Sequence, residues 1–321
     1  MLRFVRSARV LVPAIAVACY AAILGGQEPK PGFGDAVLGR WDLTVKGATG
    51  EYPSWVEIHM RTDTQLQGRF VGQFGSVRYL TRTDYRDGTL EFAVAPQYEK
   101  QKTELVFTGK LNGDRLEGTT KAVDGTTLNW TGVRAPALRR EATPKWGAPV
   151  DLFDGTSTTG WRLRNAEHPQ CWKAEGGALM NTLPCTDIIS ERTFSDFKLH
   201  AEFTFPAGSN SGIYLRGRYE VQIQDDAGKV MDAHRMGGVY GFLNPYVNAA
   251  HKAGEPQAYD ITLIGRRVTI VLNGQTIMDN EPIPGITGGA LDSHEGEPGP
   301  IMLQGDHQRV SFRKVVITPG V

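Results

Sequence analysis

Two stretches of alternating side chains hold the residues best suited to chemistry. In Tyr219-Glu220-Val221-Gln222-Ile223-Gln224 a strand turns Tyr219, Val221 and Ile223 to one side and Glu220, Gln222 and Gln224 to the other. Ile213-Tyr214-Leu215-Arg216 alternates likewise, with Tyr214 and Arg216 on the side away from the core. Farther upstream, Leu199, Ala201, Phe203 and Phe205 read as packing residues and leave His200, Glu202 and Thr204 opposite. Three such strands in one curved sheet would gather Glu202, Tyr214, Arg216, Glu220 and Gln222 on a common concave surface. Carboxylates and carboxamides exchange hydrogen bonds with hydroxyl groups, and Tyr214 or Trp161 offers a flat face to the C–H groups of a sugar ring. Two carboxylates on one face also match the pair that a glycosidase uses. The plainer alternative is that polar residues line the solvent face of any antiparallel sheet.

Other candidates lie in loops. His234 sits in DDAGKVMDAHRMGGVYG, whose glycines would let it close over a ligand, although a lone loop histidine often simply meets water. Asp225, Asp226 and Asp232 are the candidates for a hard cation such as calcium, but they lack EF-hand spacing, and no Cys or His cluster has the spacing of structural zinc. No metal or cofactor is expected. Lys plus Arg and Asp plus Glu balance at 35 each, which leaves no basic field for nucleic acid. A neutral saccharide needs no such field.

Arg3, Arg6 and Arg9 precede an apolar run from Val10 to Leu24 that ends in Gly25 and Gly26. This is the layout of a secretory signal over residues 1–26, so the mature chain is expected to be exported, to the periplasm or beyond. A membrane is expected as a partner only through an uncleaved N-terminus or lipidation at Cys19. In an oxidising compartment Cys171 and Cys185 favour a disulfide over two separately buried thiols.

The elements that must position these residues are strands. The 38 Gly and 18 Pro punctuate short runs rich in Val, Ile, Thr, Tyr and Phe, which makes the fold class all-β, and 321 residues leave room for two domains. Residues 27–37 read as a mobile linker. Residues 38–133 offer eight strand-like runs, from GRWDLTV to TTLNWTGV, joined by turns such as Arg86-Asp87-Gly88. They predict an antiparallel meander, closed as a small barrel or folded as a sandwich, with an accessory role. Its opening Gly39-Arg40-Trp41 is like the start of lipocalin-type barrels, or is a Trp plugging one end of any small barrel. Residues 134–148, with two prolines and a basic run, read as a solvated linker.

Residues 149–321 carry, in order, DLFDGTSTTGW, FKLHAEFTFPAGSNSGIYLRGRYEVQIQDD, GGVYGFLNP, YDITLIGRRVTIVLNGQTIMDN and GPIMLQGDHQRVSFRKVVITP. These resemble the 3-keto-disaccharide hydrolase family over about residues 150–319. The resemblance implies a concanavalin A-like jelly-roll β-sandwich and an enzyme that cleaves 3-keto-disaccharides or related 3-keto-glycosides. In such a substrate the C3 carbonyl acidifies the C2 hydrogen, a carboxylate removes it, the glycosidic oxygen leaves C1, and water adds afterwards. The reaction needs a base, an acid for the leaving oxygen and a stabiliser for the enolate. By residue type, Glu202 and Glu220 are candidates for the base, Arg216 for the stabiliser, and His307 or Asp226 for the acid. Tyr214, Gln222, Asn210, Asp226, His234, Gln304 and Trp161 are the expected substrate contacts, Gln304 and His307 matching the family's closing Leu-Gln then His element. The family's Glu-Phe-Arg is Glu202-Phe203-Thr204 here, and its Gly-Glu-Trp-Asn is Gly254-Glu255-Pro256-Gln257, so one cation and one aromatic ring are missing. A direct glycosidase using Glu202 with Glu220 is the competing enzyme, and a non-catalytic carbohydrate-binding or surface interaction module the competing non-enzyme.

Overall fold

A computed structural model of the chain describes residues 34–47 and 50–321. The expected export signal, Cys19 and the first part of the expected linker lie outside the described residues. Eight strands follow in the first domain: β1 Gly39–Gly47, β2 Gly50–Thr62, β3 Gln65–Val71, β4 Arg78–Arg86, β5 Thr89–Val94, β6 Leu105–Asn112, β7 Arg115–Lys121 and β8 Thr127–Arg134. Each pairs antiparallel with the next, and β1 returns to pair with β8. The meander is therefore a closed barrel, which leaves no free sheet edge.

Strand alternation fills the barrel rather than hollowing it. Phe92 and Phe107 stack at 4.9 Å between ring centres, and Trp130 meets both edge-on at 6.2 and 6.1 Å. Trp41 plugs one end: its Nε1 donates to the Val37 carbonyl at 2.9 Å, and the Arg134 guanidinium lies over its ring. Val37, in a short 3-10 turn over Asp35–Val37, is fully buried, so the end of the segment read as a mobile linker belongs to the barrel.

The second domain is a sandwich of two sheets. Its strands are β9 Val150–Phe153, β10 Trp161–Leu163, β11 Trp172–Glu175, β12 Ala178–Asn181, β13 Ile188–Phe194, β14 Phe197–Thr204, β15 Asn210–Leu215, β16 Tyr219–Gln224, β17 Gln257–Ile264, β18 Arg267–Leu272, β19 Gln275–Pro282, β20 Gly299–Leu303 and β21 Ser311–Pro319. A five-stranded sheet runs β10-β13-β20-β15-β16; an eight-stranded sheet runs β11-β12-β21-β14-β17-β18-β19, with β9 beside β21. The last strand thus pairs with the first strand of the domain. Ile213, Leu215, Val221 and Ile223 from the smaller sheet pack against Ala201, Phe203, Ile261 and Ile270 from the larger one. Asn273 and Gly274, at φ 51° and 80°, make the two-residue turn between β18 and β19 that their sequence predicts. Cys171 and Cys185 are joined by a disulfide, with their Cα atoms 5.4 Å apart.

This arrangement corrects one expectation at the root of the site. β14 does not lie beside β15 and β16; it belongs to the other sheet, on the far side of the core. Residues 134–148 also depart from a solvated linker. Pro136 accepts a hydrogen bond from Arg266 (2.7 Å), Arg140 pairs with Asp196 (2.7 Å), and Trp146 forms a β-bridge with Gly320. The linker is strapped along the jelly roll.

Barrel and jelly roll form one compact unit. Trp55 meets Phe242 edge-on at 5.4 Å, Thr44 Oγ1 is 2.7 Å from Ser293 Oγ, and the Gly289 N–H donates to the Gln73 carbonyl at 2.8 Å. The β3–β4 connection is thereby held against residues 285–290, which border β16.

Candidate functional site

A cavity of about 320 Å³ opens on the face of the five-stranded sheet that points away from the core. Asn210 and Tyr214 of β15 and Glu220 and Gln222 of β16 line it, because alternation sends their neighbours Ile213, Val221 and Ile223 into the core. Connections supply the rest: Arg164, Asp187, Tyr240, Gly288, Gly289, Gln304, Asp306 and His307. The barrel adds Phe74, Gly75 and Tyr98.

Glu220 is a buried acid in the wall of this cavity, 4% exposed. Burial pushes its carboxyl up to about 8, even though Tyr214 and His307 favour the charged form. The Tyr214 hydroxyl lies 2.9 Å from Glu220 Oε2 and 2.9 Å from the Gly288 carbonyl. The hydroxyl thus donates toward the Glu220 carboxyl, with the Gly288 carbonyl as its second acceptor. In the amide orientation that satisfies its surroundings, Gln222 donates to the Ser211 carbonyl (3.0 Å) and to Glu220 Oε1 (3.2 Å). The backbone makes room for this cluster at two glycines. A Cβ on Gly212 would lie 2.5 Å from Glu220 Oε1, and one on Gly289 would lie 2.5 Å from the Tyr214 oxygen.

Two further carboxylates line the cavity, each already committed to a partner. Asp187 accepts from Arg164 Nη1 and from the Gly305 N–H, both at 3.0 Å. Burial, with Asp306 nearby, still holds its carboxyl above the usual carboxylate range. Asp306 is bonded to His307 Nδ1, and this bond raises the imidazole above its ordinary value despite partial burial. His307 is thus biased toward the imidazolium form in a cavity where Glu220 and Asp187 resist ionisation. Gln304, also in the cavity wall, has its Oε1 buried with no hydrogen-bond partner.

Of the residues predicted from sequence, the fold brings together Glu220, Tyr214, Gln222, Asn210, Gln304 and His307. It separates five others. Glu202 stands half-exposed on the outer face of the eight-stranded sheet, 3.1 Å from His200, which is 2.7 Å from Asp260. Arg216 follows the end of β15 in a left-handed conformation (φ 53°), so the alternation stops before it. Its buried guanidinium donates to the Tyr219 hydroxyl (3.0 Å) and the Gly265 carbonyl (2.9 Å), away from the cavity. Trp161 is a core residue whose Nε1 donates to the Leu152 carbonyl at 2.5 Å. Asp226 is fully buried and takes Arg235 (2.7 Å) and the Met236 N–H (3.2 Å), pinning its own loop. His234 stands behind the cavity wall, edge-on to Tyr240 at 5.0 Å. Asp225 accepts from the Gly208 N–H at 3.0 Å, and among the described residues no group of three His, Cys, Asp or Glu side chains is placed to hold a metal ion.

Residues 148–318, more than half of the chain, match the 3-keto-alpha-glucoside-1,2-lyase-like domain family. The chain belongs to that family. No curated protein matches it. Among solved structures, a provisionally designated glycosyl hydrolase from Parabacteroides distasonis is 26% identical, with a TM-score of 0.48 over 57% of this chain and 94% of its own. A carbohydrate binding module from Bacillus subtilis is 15% identical (TM-score 0.35, 50% of this chain, 96% of its own). A non-specific endo-beta-1,3(4)-glucanase is 11% identical (TM-score 0.37, 58% of this chain, 96% of its own). Membership in the 3-keto-alpha-glucoside-1,2-lyase-like family rests on the match over the jelly roll, the domain that supplies all of the cavity except Phe74, Gly75 and Tyr98.

Proposed function

We propose that this chain is an exported enzyme that cleaves 3-keto-glycosides by elimination, with Glu220 as the base. The observation that carries the reading is the buried Glu220 carboxyl, pushed up to about 8 beside a cavity rich in hydroxyl-binding groups. A carboxylate of raised pKa is a stronger base than an exposed one, which suits removal of a weakly acidic C–H proton. Glu220 takes the C2 proton, and the C2–H pair becomes the enolate of the C3 ketone. The enolate then re-forms its carbonyl as the C1–O bond breaks, giving a double bond between C1 and C2. The departing oxygen takes a proton from His307, and water adding at C1 completes the hydrolysis. Arg164 takes the role first assigned to Arg216, a cation beside the enolate oxygen.

The direct glycosidase that pairs Glu202 with Glu220 does not fit, because Glu202 lies on the opposite sheet, and the carboxylates beside Glu220 are bonded to Arg164 and His307. The test is turnover of a 3-keto-glucoside beside its unoxidised counterpart. Release of sugar from the keto compound alone is expected, falling by roughly 10²–10⁴-fold in Glu220→Gln while the melting transition survives. Equal turnover of the unoxidised compound would sink the elimination, and saturable binding without turnover would leave a carbohydrate-binding protein.

A further inference from the structure

The mouth of the barrel holds a second cavity, about 230 Å³, beside the first. Phe74 and Tyr98 line both, standing where the two meet, and both are more than half exposed. The chemistry of the walls changes at that boundary. The cavity around Glu220 presents carboxylates, carboxamides and His307. The barrel mouth presents Tyr52, Phe70, Leu105 and Phe107 besides the shared pair, with Gln73 and Lys100 as its neutral and basic polar side chains. Its one carboxylate is already occupied: Glu99 takes both arms of Arg78 at 2.5 and 3.1 Å and the N–H groups of Gln97 and Tyr98 at 2.7 and 3.1 Å. That bracing also fixes the loop that carries Tyr98.

We propose that the barrel mouth is the leaving-group subsite, and that the leaving group is a planar aromatic alcohol rather than a second sugar. The inference rests on the elimination reading for the site next door. A sugar seated here would set several hydroxyls against phenyl rings and aliphatic carbon, with few polar groups to replace their water. A flat ring instead gains stacking and edge contacts with Phe74 and Tyr98. The volume fits, since a cavity of about 150 Å³ suffices for a benzene molecule. When the C1–O bond breaks, the electron pair passes to the phenol oxygen, His307 supplies its proton, and a neutral phenol departs through the barrel mouth.

Binding of unoxidised phenyl and methyl glucosides, both anomers, and of a glucose disaccharide tests the subsite without requiring turnover. Calorimetry should show the phenyl glucoside binding about tenfold tighter than either other ligand, a difference of about 1.4 kcal/mol. Phe74→Ala or Tyr98→Ala should bring the phenyl-to-methyl ratio below about threefold. Equal affinities in the wild type, preference for the disaccharide, no binding at all, or a ratio that survives in both variants would overturn the subsite. A phenyl preference that depends on these rings, with no turnover of the 3-keto compound, would instead uphold the subsite and remove the elimination.

Discussion

Glu220 and His307 meet the same cavity with opposite tendencies, one resisting its charge and the other keeping it. A base works deprotonated and an acid protonated, so the rate should fall at low pH, where Glu220 keeps its proton, and at high pH, where His307 has lost its own. Each limb has a neighbour that sets it. Tyr214 donates to the Glu220 carboxylate and so favours its charged form. Tyr214→Phe should therefore move the rising limb to higher pH, and a shift to lower pH in the kcat/KM profile would contradict the assignment. Asp306 raises His307 through a direct bond as well as its charge and raises Glu220 through its charge alone, so Asp306→Asn should move both limbs to lower pH, the falling limb by more. If the rising limb moves as far as the falling one, the two groups do not act separately as base and acid.

The strands show why part of the site was legible in the sequence and part was not. Alternation in β15 and β16 reports which side chains leave the core, and it located Tyr214, Glu220 and Gln222. It does not report which sheet a strand joins, because both sheets of a sandwich show the same period of two. That is how Glu202, correctly placed on the face away from the core, came to be expected beside Glu220. Arg216 was lost one residue past the strand end, where a positive φ breaks the period. Arg164, Asp187, Tyr240 and Asp306 lie in connections without periodicity, so no sequence signal marked them. Gly212 is the element-scale counterpart of Glu220, its missing side chain being the space that the carboxyl fills. Gly212→Ala places a methyl 2.5 Å from Oε1. It should cost roughly 1–3 kcal/mol by overpacking and displace the base, lowering kcat more than it raises KM. A variant with lowered melting temperature but unchanged kcat would mean that the carboxyl moves aside at no cost to the reaction.

The assembly of the two domains brings a carboxyl from each into one buried place. Asp42 of β1, 2% exposed, meets Glu295 of the jelly roll, whose own carboxylate grips Arg266 through two 2.7 Å bonds. Burial first, and the Glu295 charge second, push the Asp42 carboxyl far above the usual carboxylate range. Asp42 therefore keeps its proton in the folded protein at pH values where the unfolded chain has lost it. Over that window the native state binds the extra proton, and stability must fall as pH rises, from the ordinary aspartate range near 4 up to the folded value. Asp42→Asn keeps the shape, supplies an N–H for Glu295 and removes the titration. Its stability relative to the wild type should rise steadily between pH 5 and pH 8, by up to roughly 1 kcal/mol per pH unit. Melting curves for the two proteins across that range decide it. A difference in melting temperature that stays flat with pH would mean that Asp42 is charged in the folded state and that the contact between barrel and jelly roll is not linked to a proton.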